Sequence, residues 1–380
     1  MKLVAATVYA LRIPFVQSFS HSAGERRWSD SVVVRVRDDA GTEGYGEGAP
    51  RPYVTGETVE TMLDHLASEL WPHVAGREVP SAADLEALAA FLPVSRLAGA
   101  IAPHASHAAL EIAVLDCALR RAGSPLAKLM PPRRSTVTYS GVITAGPVAR
   151  AAQHARQMRA IGLRDVKVKV GFDDDVARVA AVRETLGPDA SLRLDANGGW
   201  SFDRAVQVLN AVAPLGVAAV EQPLPRGPVE ALARLRRVTG VPIMVDESLV
   251  TQADARALIE AQAADFFNVR ISKCGGLTRS LAVASAALEA GLGVQVGCQV
   301  GETAILSAAG RHLAATLPEV AFAEGSFGTL LLAEDVAVES VRFGHRGEAP
   351  ILTGHGLGIR VVEERLRRRA VTICELTTEG

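Results

Sequence analysis

Lys167, Lys169, Asp195, Glu221, Asp246 and Lys273 are residues of acid–base and cation-binding type set at nearly even intervals. Counted from Lys169, the steps to Asp195, Glu221, Asp246 and Lys273 are 26, 26, 25 and 27 residues. That is about one strand-plus-helix unit of a parallel barrel, in which about 250 residues make eight units. Each residue ends a short apolar run, as in Val166-Lys-Val-Lys-Val170, Leu192-Arg-Leu-Asp195 and Ile243-Met-Val-Asp246. A polar residue at the C-terminal end of a barrel strand lies on the face where such barrels do chemistry. A lone acidic residue there is as simply a helix cap, but five consecutive strand ends are not explained that way.

With Lys169 on strand two, the carboxylates occupy strands three to five and Lys273 strand six. Strands two and six oppose each other in an eight-stranded ring. Three adjacent carboxylates repel unless a cation joins them, and hard oxygen ligands suit Mg²⁺, or Mn²⁺ in its place, better than zinc. Lysines on opposed strands would then address two faces of whatever the cation holds. Lys167 and Lys169 share parity, so both side chains leave the strand on one side. Asn197 is placed just behind the ligands or in a turn. Glu247 either approaches the cation or caps the next helix, and stays outside the ligand set.

The rest of the chain must position these groups. Runs over Lys2–Ile13, Ser31–Arg37 and Gly44–Gly48 read as a three-stranded meander with a turn at Asp38–Gly41. Helical spacing follows over Thr58–Leu70, Ala82–Phe91 and Ala105–Arg121. Barrel strands are expected from Val137–Val142 through Val294–Gly297 and Val320–Glu324. The reading is α/β: a (β/α)7–8 TIM-type barrel over residues 131–330, an α+β capping domain over 1–130, and a segment, 331–380, that returns to the cap.

Composition agrees with a globular enzyme: 48% hydrophobic and 22% charged residues over 380 positions. A net charge of −2 gives no reason to expect nucleic acid or an anionic membrane as partner. Cys117, Cys274, Cys298 and Cys374 form no CxxC pair, so neither a disulfide framework nor a zinc cluster is indicated. Arg12 and Pro14 interrupt the apolar amino terminus, which does not read as a signal peptide, and no apolar stretch approaches a membrane span. A cytoplasmic location is expected.

Lys167-Val-Lys169, Asp195-Ala-Asn197, Glu221-Gln-Pro223, Asp246-Glu-Ser248 and Lys273-Cys-Gly-Gly276 together resemble the signature set of the enolase superfamily. Within it they resemble the muconate lactonizing subgroup: muconate cycloisomerases, dipeptide epimerases, N-acylamino acid racemases and o-succinylbenzoate synthases. Glu43–Gly48 and Ala113–Ala118 extend the likeness over nearly the whole chain. The resemblance implies an isomerase acting on a small-molecule carboxylate. Mg²⁺ held by Asp195, Glu221 and Asp246 would bind the carboxylate, lysine would handle the adjacent proton, and an enediolate would form. Lys169 and Lys273 would be the acid–base pair, with Lys167 beside them, and a homo-oligomer is implied. The absence of a histidine near strand seven argues against the mandelate racemase branch.

Substrate identity is less legible. The resemblance implies two specificity loops of the cap that close over the barrel; here they would be about Val16–Trp28 and Pro50–Glu57, bringing His21, Arg26, Arg27, Arg51 and Tyr53. Exposed arginines commonly only solvate a loop, so an anionic distal group on the substrate is one alternative. The stretch Glu324–Leu332 resembles the cycloisomerases and lacks the Asp-x-Asp of dipeptide epimerases, whereas Lys273-Cys-Gly-Gly and Gly297–Glu302 lean to the epimerases. Cycloisomerization is taken as the main reading, with racemization or epimerization, or an o-succinylbenzoate synthase-like dehydration, as alternative. His104, His107, His312, His345 and His355 are read as packing or surface residues.

Overall fold

The computed structural model describes residues 1–21, 24–80, 84–92 and 101–378. Near the amino terminus, β1 (Leu3–His21), β2 (Gly24–Asp38) and β3 (Glu43–Gly48) run antiparallel, and β3 lies at one edge of a four-stranded sheet. The Asp38 carboxylate accepts from Ala40 N at 2.9 Å and Thr42 N at 2.8 Å, which fixes the β2–β3 turn. Alternating glycines 44, 46 and 48 have a packing reason. A Cβ at Gly46 would fall 2.0 Å from the Ala109 carbonyl, so only glycine lets helix His104–Arg121 lie this close to β3.

Of the expected loop over Val16–Trp28, residues 16–21 and 24–28 lie in the paired strands β1 and β2, and residues 22 and 23 lie outside the described ones. Pairing shifts register between Pro14 and Phe19, where proline offers no ladder N–H, and then resumes at Phe19 opposite Arg26. The His21 side chain lies outside the described ones, as do residues 82 and 83 of the expected Ala82–Phe91 helix, which is described from Leu85 to Phe91.

Thr136–Thr138 (β4) does not enter the barrel, contrary to the single strand expected over Val137–Val142. Ser140 N donates to Ala323 O at 2.9 Å and Tyr139 N to Gly347 O at 2.8 Å, so the run breaks between two partners. The barrel strands are β5 (Gly141–Ile143), β6 (Asp165–Lys169), β7 (Ser191–Asp195), β8 (Ala219–Glu221), β9 (Ile243–Val245), β10 (Phe266–Val269), β11 (Gly293–Val296) and β12 (Phe322–Ala323). They form one eight-stranded parallel sheet in that order, and the Ser140–Ala323 bond brings its two edges together. β4 pairs antiparallel with β13 (Glu348–Pro350) outside it.

Helices such as Val148–Ala160, Asp175–Leu186 and Leu277–Glu289 alternate with the strands. Val166, Val168, Leu192, Leu194, Phe267 and Val269 are fully buried, and the alternate positions Lys167, Lys169, Arg193, Asp195 and Asn268 carry polar groups. With a period of two, apolar residues back onto the helices and the polar set projects into the barrel. The strand β14 (Ala370–Thr377) pairs antiparallel with β1, opposite Ala5 to Leu11, so the tail completes the amino-terminal sheet. No described helix is long and apolar enough to cross a membrane.

Candidate active site

β6 delivers two ammonium groups to the barrel interior at different depths. Lys169 Nζ lies 2.6 Å from Asp195 Oδ2 and donates to Asn197 Oδ1 at 2.8 Å. Lys167 Nζ is 2.7 Å from Glu324, 3.1 Å from Asp195 and 3.2 Å from Glu221. Burial disfavours the Lys167 ammonium, but Glu221, Glu324 and Asp195 outweigh it and hold its pKa well above the ordinary lysine value. These three carboxylates therefore favour the charged form of Lys167. Burial likewise works against ionised Asp195, yet Lys169 and then Lys167 keep its carboxyl well below the usual range.

Glu221, one strand on, is pushed up by burial and by the Asp195 charge, although Lys167 opposes the shift. Asn268 donates to its Oε1 at 2.9 Å and Gln295 to its Oε2 at 3.1 Å, so the floor of the barrel fixes this carboxylate. Gln222, at φ +37°, ties the ends of β8 and β9 together. Its Oε1 accepts from Asp246 N and Ser248 N, both at 3.1 Å. Positive φ at a glutamine is strained backbone, and here it aims the amide that positions Asp246.

Asp195, Glu221 and Asp246 stand at or just past the ends of the adjacent strands β7, β8 and β9, linked to one another through Lys167 and Arg270. Lys273 lies elsewhere than expected. β10 ends at Val269, and Lys273 rides a short helical turn, Ile271–Cys274, beyond it. Its Nζ donates to Asp246 Oδ1 at 2.7 Å, Asp246 O at 2.8 Å and Asn268 O at 2.8 Å, and the side chain is fully buried. Gly275 ends the turn at φ +85°, and at Gly276 (φ +119°), where the next helix starts, a Cβ would strike the Glu111 carboxylate that caps that helix. The interior position at the β10 end belongs to Arg270, which ion-pairs with Asp246 and lies 3.2 Å from Glu221. Strand parity from Asn268 was the signal for it, since Arg270 is two residues further on and Lys273 is five.

A cavity of about 170 Å³ opens on these groups. Its polar floor includes Lys167, Lys169, Asn197, Arg270 and Glu324, and its walls include Phe19, Val142, Val300, Phe327 and Leu331. Lys273 is not among the lining residues. Phe19 from the β1–β2 hairpin and Tyr53 reach the cavity from the amino-terminal part, which therefore covers the C-terminal mouth of the barrel. The loop arginines do not line it. Arg51 is buried and donates to the carbonyls of Pro50 and Val300 at 2.5 Å, while Arg26 pairs with Asp30 at 3.1 Å.

As for a cation, among the described residues no group of three or more His, Cys, Asp or Glu side chains is drawn together closely enough to hold one as it stands. Lysine and arginine meet the carboxylates instead. The donor set is nevertheless all hard oxygen; Asp246 Oδ2 meets the Arg270 guanidinium, and buried Glu247 Oε2 has no hydrogen-bond partner among the described residues. Burial and the charges of Asp246 and Asp195 push the Glu247 pKa up to about 8, the signature of crowded carboxylates. These residues fit Mg²⁺ by type and strand position.

A parallel barrel with polar strand ends and a lid from an added sheet defines an enzyme of the TIM-barrel class. Residues 3–131 match the mandelate racemase / muconate lactonizing enzyme N-terminal domain, and residues 150–365 the enolase C-terminal domain-like family. The chain belongs to the mandelate racemase / muconate lactonizing enzyme family and is an isomerase of its muconate lactonizing subgroup. It is 31% identical to an N-succinyl-L-Arg/Lys racemase of Bacillus cereus, over 98% of each chain. The 2-chloromuconate cycloisomerase of Rhodococcus opacus superposes with a TM-score of 0.89 at 31% identity, covering 98% of this chain and 100% of that one. A dipeptide epimerase of Cytophaga hutchinsonii, solved with Mg and D-Ala-L-Val, gives a TM-score of 0.89 at 26% identity, over 99% and 100%.

Proposed function

We propose that this chain is a Mg²⁺-dependent isomerase of the cycloisomerase type, moving a proton at the carbon beside a substrate carboxylate. Residues 131–330 would form the catalytic barrel, with 1–130 and 331–380 as its cap, a division supported by the pairing of β14 with β1. Asp195, Glu221 and Asp246 would hold the cation, Mg²⁺ or Mn²⁺. When bound, it supplies the positive charge that makes a C–H next to a carboxylate acidic enough to ionise.

The chain's own residues supply the rest. Asp195 and Asn197 fix Lys169 Nζ at the cavity floor, so its proton leaves or arrives at one defined point. Lys167 stays charged and favours negative charge developing above it. Phe19, Val300, Phe327 and Leu331 line the walls and exclude water, which strengthens these interactions. With Arg26 and Arg51 engaged elsewhere, the walls favour an apolar distal group on the substrate over an anionic one.

The observation that carries this reading is the contact of Lys169 with Asp195 at the floor of an apolar cavity. The amines lining that cavity both come from β6, which favours chemistry on one face of the substrate. A racemase or epimerase of N-acyl amino acids is the second reading, favoured by the 31% identity to the racemase relative. Incubation with cis,cis-muconate and its substituted forms tests the first. Loss of the diene absorbance with lactone formation, abolished by EDTA and restored by Mg²⁺, supports it. Loss of optical rotation from an N-succinyl amino acid without any lactonization overturns it.

A further inference from the structure

Arg270 stands where a second proton-transfer group would have to stand. β6 and β10 are four strands apart in the eight-stranded order, so they face each other across the barrel. Lys169 and Arg270 are the interior residues at or just past their ends, and both line the cavity. The guanidinium is anchored on three sides. It ion-pairs with Asp246, lies 3.2 Å from Glu221 Oε1, and donates to Gln299 Oε1 at 3.4 Å.

A 1,1-proton transfer that inverts a carbon needs an acceptor on one face and a donor that can exchange roles on the other. A guanidinium keeps its protons throughout the working pH range of a protein. Lys273 cannot take the role, because its three hydrogen bonds hold it behind Asp246 and off the cavity wall. Lys167 shares the β6 side with Lys169, and Glu324 is tied to Lys167 and to Arg193 at 2.9 Å. On the β11 side, the Cys298 thiol is buried near Glu302 and Glu324, an environment that disfavours the thiolate.

We propose that Arg270 makes this chain a one-base enzyme, with Lys169 handling the proton on one face and Arg270 supplying fixed positive charge on the other. The proposal rests on the reading of Lys169 given above. In the exchange direction, unprotonated Lys169 takes the α-proton and the C–H electron pair passes into the carboxylate. The same ammonium then returns a proton to the same face, so configuration is retained. In cycloisomerization, a carboxylate oxygen adds to the alkene, the π pair moves toward the α-carbon, and Lys169 protonates that carbon. Both sequences balance without a second base. Inversion does not.

The test is α-proton exchange in D₂O with Mg²⁺, read by NMR and chiral chromatography. The probes are muconolactone and each enantiomer of N-succinylphenylalanine, with wild type, Arg270→Lys, Arg270→Met and Lys169→Ala. Wild type is expected to exchange one face of muconolactone or one enantiomer of the amide, about 10²-fold or more over the other, without interconversion. Arg270→Lys should open exchange on the opposite face and produce the other enantiomer. Arg270→Met should slow exchange about 10²–10³-fold without opening that face, as loss of a fixed charge predicts. Interconversion of enantiomers by wild type at a rate matching exchange overturns the one-base proposal and leaves the role of Lys169 standing. Undiminished exchange in Lys169→Ala overturns the underlying reading, and the proposal falls with it.

Discussion

Lys273 donates to the Asp246 backbone carbonyl at 2.8 Å and to the same residue's carboxylate at 2.7 Å. A lysine so engaged sets where Asp246 points and is not available to a substrate. Replacing it by methionine leaves a buried carboxylate with one partner fewer, and breaking such a pair costs about 3–5 kcal/mol. Lys273→Met should lower the melting temperature and weaken Mg²⁺ binding measured by calorimetry. The stereochemistry of proton exchange should stay as in wild type. A changed exchange face in a stably folded Lys273→Met would return this residue to the acid–base pair.

Lys169 should be indispensable. General acid–base groups contribute about 10²–10⁴-fold, and removal of one lowers kcat and kcat/KM together. Lys169→Ala is expected to lose that much on any substrate the wild type turns over, with circular dichroism unchanged. Turnover within a few-fold of wild type would remove Lys169 from the mechanism.

Metal removal provides a separate measurement. Exhaustive dialysis against EDTA should abolish turnover, and added Mg²⁺ or Mn²⁺ should restore it. Asp246→Asn should fold yet bind the cation more weakly, because one of three charged oxygen donors is gone. Full activity in EDTA would show that the carboxylates serve only their lysine and arginine partners.

Buried Glu302 predicts a pH dependence of stability. Burial, reinforced by the Glu47 charge, raises its pKa to about 8 from an ordinary 4.5. Between those values the folded chain holds a proton that the unfolded chain has released. Stability therefore falls as pH rises across this window, by up to about 1.4 kcal/mol per pH unit from this group, and levels off above it. Urea titrations of Glu302→Gln should show a shallower slope between pH 5 and 8 and greater stability at pH 8 than wild type. An identical slope in both would mean that Glu302 is ionised throughout.

The even spacing of Lys169, Asp195, Glu221 and Asp246 carried the barrel and the order of its polar strand ends, because each strand-plus-helix repeat delivers one strand end to the same face. The family likeness rests on the same residues. Sequence read less well wherever the chain departs from that repeat. The described residues of the expected loop at Val16–Trp28 are strand because the partner strand, not local composition, supplies the ladder. Thr136–Thr138 left the barrel because its partner is Glu348–Pro350, more than 200 residues away.

The site divides in the same way. Its residue types and the strands that carry them follow from local pattern, which a period of two and a 25–27-residue repeat make visible in one dimension. Which cation faces the cavity does not. Lys273 and Arg270 are three residues apart, and the interval favoured the lysine. The choice fell to where β10 stops and turns helical, and to Asp246 and Asn268, whose oxygens capture the ammonium once the barrel closes. Those contacts join residues up to 27 positions apart, so they exist only after folding.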